Sequence, residues 1–134
     1  MSYNTYLLVL SQLSSRKKAE CVVQGSVIFV ESKQSDKDWN LSTKIFDADT
    51  AKIPSFLQQS LTSRGLLRWQ ERGAFLKLDP ETNSVYLVQQ IQSSRKYVPF
   101  KYLMNDFAGV AREWKDILDE VSHRDDSLVR IGER

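Results

Sequence analysis

Apolar and polar positions alternate along this chain with two different periods, and the changes of period divide it into elements. Residues 4–15 carry Leu7, Val9, Leu10 and Leu13 at helical spacing, so one apolar face is expected on a short first helix. Asn4 is the expected N-cap, since its side chain can accept from the first free backbone N–H groups. A helix this short is marginal alone and depends on packing. Residues 19–46 change to the period of a strand. Cys21-Val22-Val23 and Val27-Ile28-Phe29-Val30 are rich in β-branched and aromatic side chains, with Gly25-Ser26 between them as a tight turn. The polar run from Ser32 to Asp38 predicts a loop. A third strand follows, with Trp39, Leu41, Thr43 and Ile45 on one face.

Beyond Asp49, the spacing of Ile53, Phe56, Leu57 and Leu61 predicts a helix over 53–64 with Pro54 in its first turn. Gly65 either stops it or is passed through, in which case Arg64, Arg68 and Arg72 share a helical face. Residues 74–91 predict a hairpin, with arms Phe75–Leu78 and Val85–Val88 joined by a turn-rich stretch containing Pro80 and Asn83. Residues 100–121 hold the strongest pattern. Phe100, Leu103, Met104, Phe107, Val110, Ala111, Trp114, Ile117, Leu118 and Val121 follow alternating steps of three and four, the mark of a helix laid over a sheet.

The expected order is α-β-β-β-α-β-β-α. That is an α+β domain with helices packed on an antiparallel sheet. One domain over 1–123 is expected, with 124–134 as a polar, flexible C-terminal tail.

Composition narrows the chemistry. The chain has 134 residues, enough for one domain with its own core. The net charge is only +2, small for a dedicated nucleic-acid binder. The basic groups Arg16-Lys17-Lys18, Arg64/Arg68/Arg72 and Arg95-Lys96 beside Tyr97 are the places such a reading would use. Protein-interface and solvated roles fit them better. No segment has the ~20 apolar residues of a membrane span, and no basic residue precedes the apolar run Tyr6–Leu10 as in a secretory signal.

One cysteine, Cys21, forms no intrachain disulfide, which fits a reducing compartment. One histidine, His123, lies far from it in sequence, too little for a Cys–His pair or a structural zinc site. The carboxylate pairs Asp47/Asp49, Asp116/Asp119 with Glu120, and Asp125/Asp126 sit in loop, helix-surface and tail positions. They read as solvated acids. No glycine-rich phosphate loop is present. What stands out is surplus apolar surface, with Trp39, Phe56, Trp69 and Tyr86 as candidates for exposure.

Phe56-Leu57-Gln58-Gln59-Ser60-Leu61, Gly65-Leu66, Ala74 to Thr82 and Val85-Tyr86-Leu87 resemble the middle of class I type III secretion chaperones. So does the closing helix, where Phe107, Ala111, Glu113, Trp114 and Leu118 stand in the pattern Phe-x-x-x-Ala-x-Glu-Trp-x-x-x-Leu. The resemblance covers residues 53–121 by residue and the first 50 by layout.

It implies a bacterial cytoplasmic, virulence-associated chaperone with no enzymatic activity and no cofactor or metal. Such a protein dimerises and holds an extended segment of a secreted effector or gatekeeper protein in secretion-competent form. By position, Phe56, Leu57, Leu61, Leu66 and Trp69 are the implied dimer-interface residues. Leu7, Leu10, Val27, Phe29 and Trp39 are the implied client-binding residues. The sequence pI near 8.7, in a family that is usually acidic, and the short first helix point to a subunit that pairs with a different, more acidic chaperone. The chlamydial heterodimer-forming subunits do so. The alternative carried with the resemblance is a transcription modulator that binds RNA polymerase or a sigma factor.

Overall fold

The computed structural model describes residues 1–33, 37–47, 66–69, 74–79, 81–93 and 96–132, with the backbone alone at 66–69 and 121–132. The expected helix over 53–64 lies outside the described residues, as do Phe56, Leu57 and Leu61. The described elements are α1 (Tyr3–Arg16), β1 (Lys18–Val23), β2 (Ser26–Ser32), β3 (Asp38–Asp47), β4 (Leu66–Trp69), β5 (Ala74–Asp79), β6 (Ser84–Gln92) and α2 (Tyr97–Gly132). The strands make one antiparallel sheet in the order β1-β2-β3-β6-β5-β4.

α1 is capped by Ser2 and not by Asn4. Ser2 is extended, and its Oγ accepts from the Thr5 N–H at 3.2 Å. Asn4 is already inside the first turn. The helix ends at Lys17, whose backbone is left-handed (φ 60°) and donates its N–H to the Leu13 carbonyl. Tyr6, Val9 and Leu13 face the core, so the buried stripe is rotated away from Leu7, which is exposed.

The β1–β2 turn is Gln24-Gly25, one residue earlier than expected. Both have positive φ (50° and 79°), the geometry that matches the twist of a two-residue hairpin. Ser26 is the first residue of β2 and is buried. Its Oγ accepts from Lys115 Nζ at 2.8 Å, which ties α2 to the start of β2. The β5–β6 hairpin follows its expected chemistry. Asn83 is left-handed (φ 55°). Asp79 accepts from the Glu81 N–H at 3.1 Å and from the Thr82 hydroxyl at 3.2 Å.

Two elements depart from expectation. Leu66–Trp69 is a strand paired with β5, so the sheet has a sixth strand. Because Arg68 stands in that strand, the helical file Arg64/Arg68/Arg72 does not form. The last helix begins at Tyr97 and runs to Gly132. Its backbone therefore continues through the polar stretch expected to be a tail. Pro99 falls in its first turn, where a missing N–H costs nothing because those donors have no intrahelical partner.

Both helices pack on the same sheet face, where one core forms. Phe100, Met104, Phe107, Ala111 and Leu118 of α2 meet Ile28, Val30, Leu41, Leu76 and Leu87 of the strands, all fully buried. Each large apolar side chain there contributes roughly 1.5–3 kcal/mol. Ile117 lies outside this stripe and is exposed. On β3 the expected face holds: Trp39, Leu41, Thr43 and Ile45 are buried. Thr43 is tolerated inside because its hydroxyl donates to the Val27 carbonyl at 2.8 Å. The register shifts between Lys44 and Phe46, where Ile45 is the extra residue of a bulge.

Candidate functional site

With both helices on one face, the alternation of β1 and β2 sends every second side chain to the other. On β1 these are Lys18, Glu20 and Val22; on β2 they are Val27, Phe29 and Glu31, all exposed. The register sets Val22 directly opposite Val27, Glu20 opposite Phe29 and Lys18 opposite Glu31. Phe29 and Val27 are two apart on one strand and so are neighbours on the same face. The result is an apolar triangle, with Val22 64% and Phe29 41% exposed, beside a row of opposite charges. From Phe29 the row continues across the sheet to Ser42, Val88 and Phe75. Phe75 and Val88 are half-buried.

A second apolar surface lies on α1. Leu7 and Leu8 are exposed, as is Tyr3. Tyr3 stacks edge-on against Tyr97 at the start of α2, with ring centroids 5.2 Å apart. Tyr97 in turn donates its hydroxyl to the Met1 carbonyl at 2.8 Å. That contact fixes the start of α1 against the start of α2.

β1 carries Val22 of the first surface and pairs only with β2 among the described strands. The Ser32 N–H donates to the Lys17 carbonyl at 2.8 Å across this ladder. Antiparallel pairs alternate between hydrogen-bonded and non-bonded, so Lys18, Glu20 and Val22 turn their N–H and C=O groups away from β2. That edge can accept an extended chain.

The expected client-binding residues thus separate. Leu7, Val27 and Phe29 are exposed and Leu10 is half-buried. Trp39 is 3% exposed and packs edge-on against Phe100 at 5.5 Å. It is a core residue and presents no surface, because β3 lies inside the sheet and its odd-numbered positions face the helices. Tyr86, another candidate for exposure, is half-buried. Of the expected dimer residues, Leu66 and Trp69 belong to β4, at the opposite edge of the sheet from β1. Val22 and Leu8 were missed. The signal for Val22 was available: it is the outward member of Cys21-Val22-Val23 once strand alternation is applied.

The groups that might carry chemistry stay apart. Cys21 is buried, and burial pushes its thiol up from 9.0 to about 11, the opposite of an activated thiolate. Among the described residues no three His, Cys, Asp or Glu side chains gather as a metal ion would need. No described helix is long and apolar enough to cross a membrane.

The described residues thus form one sheet with two helices on a single face and an apolar patch on the other. The architecture is that of the class I type III secretion chaperones, as the resemblance implied. Two solved structures carry the comparison. A chain of the crystal structure of the ExsC–ExsE complex superposes with a TM-score of 0.60 at 15% identity, covering 86% of this chain and 92% of that one. A chain of the HopA1–SchA chaperone–effector complex gives 0.56 at 17% identity, covering 87% and 98%. No protein-family model matches the sequence. No curated protein matches it either.

Proposed function

We propose that this chain is a secretion chaperone that holds an extended segment of a secreted effector or gatekeeper protein and works as half of a dimer. The observation that carries this reading is the apolar triangle Val22, Val27 and Phe29 on the outer sheet face. Exposed β-branched and aromatic side chains on a flat face are costly to leave in water. An extended chain whose backbone pairs with β1 would set every second side chain beside Val22, and its continuation over the outer sheet face would cover Val27 and Phe29. The HopA1–SchA structure is a chaperone–effector complex of the same fold, which supports an effector as the partner. Dimerisation would use the other end of the sheet, at Leu66 and Trp69 on β4 together with Phe56, Leu57 and Leu61. A segment on β1 and a second subunit on β4 would then not compete.

Co-expression with candidate secreted substrates, followed by light scattering of the purified complexes, tests the reading. A complex of this chain as a dimer, or with a second chaperone, plus one substrate is expected. Phe29→Glu should weaken substrate binding at least tenfold with no loss of thermal stability, since Phe29 is outside the core. A monomer that takes up no substrate would remove the proposal.

A further inference from the structure

One side chain of α1 reaches the edge that the proposed client would use. Gln12 is half-buried between the buried Leu13 and exposed Ser11. Its Oε1 accepts from the Glu20 N–H at 3.4 Å. Glu20 is the middle of the three β1 residues whose backbone groups point off the sheet. Among the described residues, Lys18 and Val22 on either side have no such side-chain cap. The Gln12 bond is longer than the ~2.9–3.0 Å of a good N–H···O bond, so it satisfies the donor weakly. Edge strands in soluble proteins are commonly blunted in some way, because bare edges recruit other strands.

We propose that Gln12 is a displaceable cap on the free edge of β1, which must release the Glu20 amide before an extended polypeptide can pair with residues 18–22. The inference rests on the reading of this chain as a binder of extended segments and names the residue that controls entry. The partner's chemistry follows from the edge. Side chains on the outer face of the added strand would meet Lys18, Glu20 and Val22, so an acidic or polar residue, a basic residue and an apolar residue fit in that order. Side chains on the inner face would extend the row of Ala19, Cys21 and Val23, which favours small or β-branched apolar residues. Once displaced, the Gln12 amide can donate and accept at the margin of the new strand, so the cap is exchanged and not merely lost.

The cap can be read without a partner. Amide exchange of the ¹⁵N-labelled full chain should show the Glu20 N–H exchanging more slowly than that of Val22. Gln12→Ala should remove the difference, and Gln12→Glu, which keeps an acceptor of the same length, should retain it. Titration with a synthetic octapeptide alternating valine with polar residues, one of them lysine, then tests entry. Gln12→Ala should bind it about threefold more tightly, through faster association, with new exchange protection at Lys18, Glu20 and Val22. Equal Glu20 exchange in wild type and Gln12→Ala would overturn the inference, as would unchanged or weaker peptide binding by that variant. Peptide binding with no protection at 18–22 overturns edge pairing alone and leaves the polypeptide-binding reading in place. Binding at no surface removes both. Self-association of Gln12→Ala in place of peptide binding would show that the cap guards against a second copy, and this too overturns the inference.

Discussion

Single residues carry unequal weight here, and backbone conformation shows why. Gly109 lies mid-helix in α2, where a Cβ would meet nothing within 4 Å. Glycine inside a helix costs about 1 kcal/mol relative to alanine. Gly109→Ala should therefore raise the denaturation midpoint by an amount worth about 1 kcal/mol, measured in urea. Lys17 is the opposite case: a side chain where the helix end needs φ of 60°. Cys21 supplies a pH test. Its folded thiol titrates near 11 against an ordinary 9.0 because it is buried. A raised value means the folded state holds the proton more tightly. Its contribution is therefore whole below pH 9.0 and is lost as the pH rises through about 11. The stability advantage of wild type over Cys21→Ala should narrow across that window in denaturant titrations. A constant gap would show that the thiol is not buried in solution.

At the scale of elements, legibility followed the strength of the period. The run from Phe100 to Leu118 has nine apolar positions at helical steps, and α2 buries all of them but Leu103, which is half-buried, and Ile117, which is exposed. The alternation of β3 gave its inner face, including Trp39 as a neighbour of Leu41 on that face. The same alternation, applied consistently, would have barred Trp39 from the surface and brought Val22 forward. β4 was not legible because Leu66–Trp69 is only four residues long and has no alternation of its own. It is a strand through its pairing with β5, a long-range cause that a local pattern does not contain. The start of α1 went to Ser2 because capping depends on which residue is extended, and Ser2 and Asn4, two polar candidates either side of Tyr3, look alike in sequence. The reach of Gln12 to β1 was invisible for a similar reason, since it needs the packing of α1 on the sheet. The core itself makes a firm expectation. Phe100 is fully buried against Tyr6 and Trp39, so Phe100→Ala should cost about 3–5 kcal/mol, read by calorimetry or urea denaturation. A loss under 1 kcal/mol would mean that α2 does not pack as described.

The molecule as a whole separates support from contact. One sheet face is closed by α1 and α2 and forms the core. The other presents Val22, Val27 and Phe29 beside a strand edge, and α1 exposes Leu7 and Leu8. Among the described residues no three His, Cys, Asp or Glu side chains gather there, and the proposed reading assigns the apolar face to another polypeptide. Site-specific photocrosslinking tests this division most directly. A photoreactive residue would be placed at Phe29, at Leu8 and, as a control, at exposed Glu120 on α2, in full chain co-expressed with secreted substrates. The account predicts crosslinks from Phe29 and Leu8 to one short contiguous stretch of a substrate, and none from Glu120. Crosslinks from Glu120 alone, or an equal yield from all three positions, would contradict it.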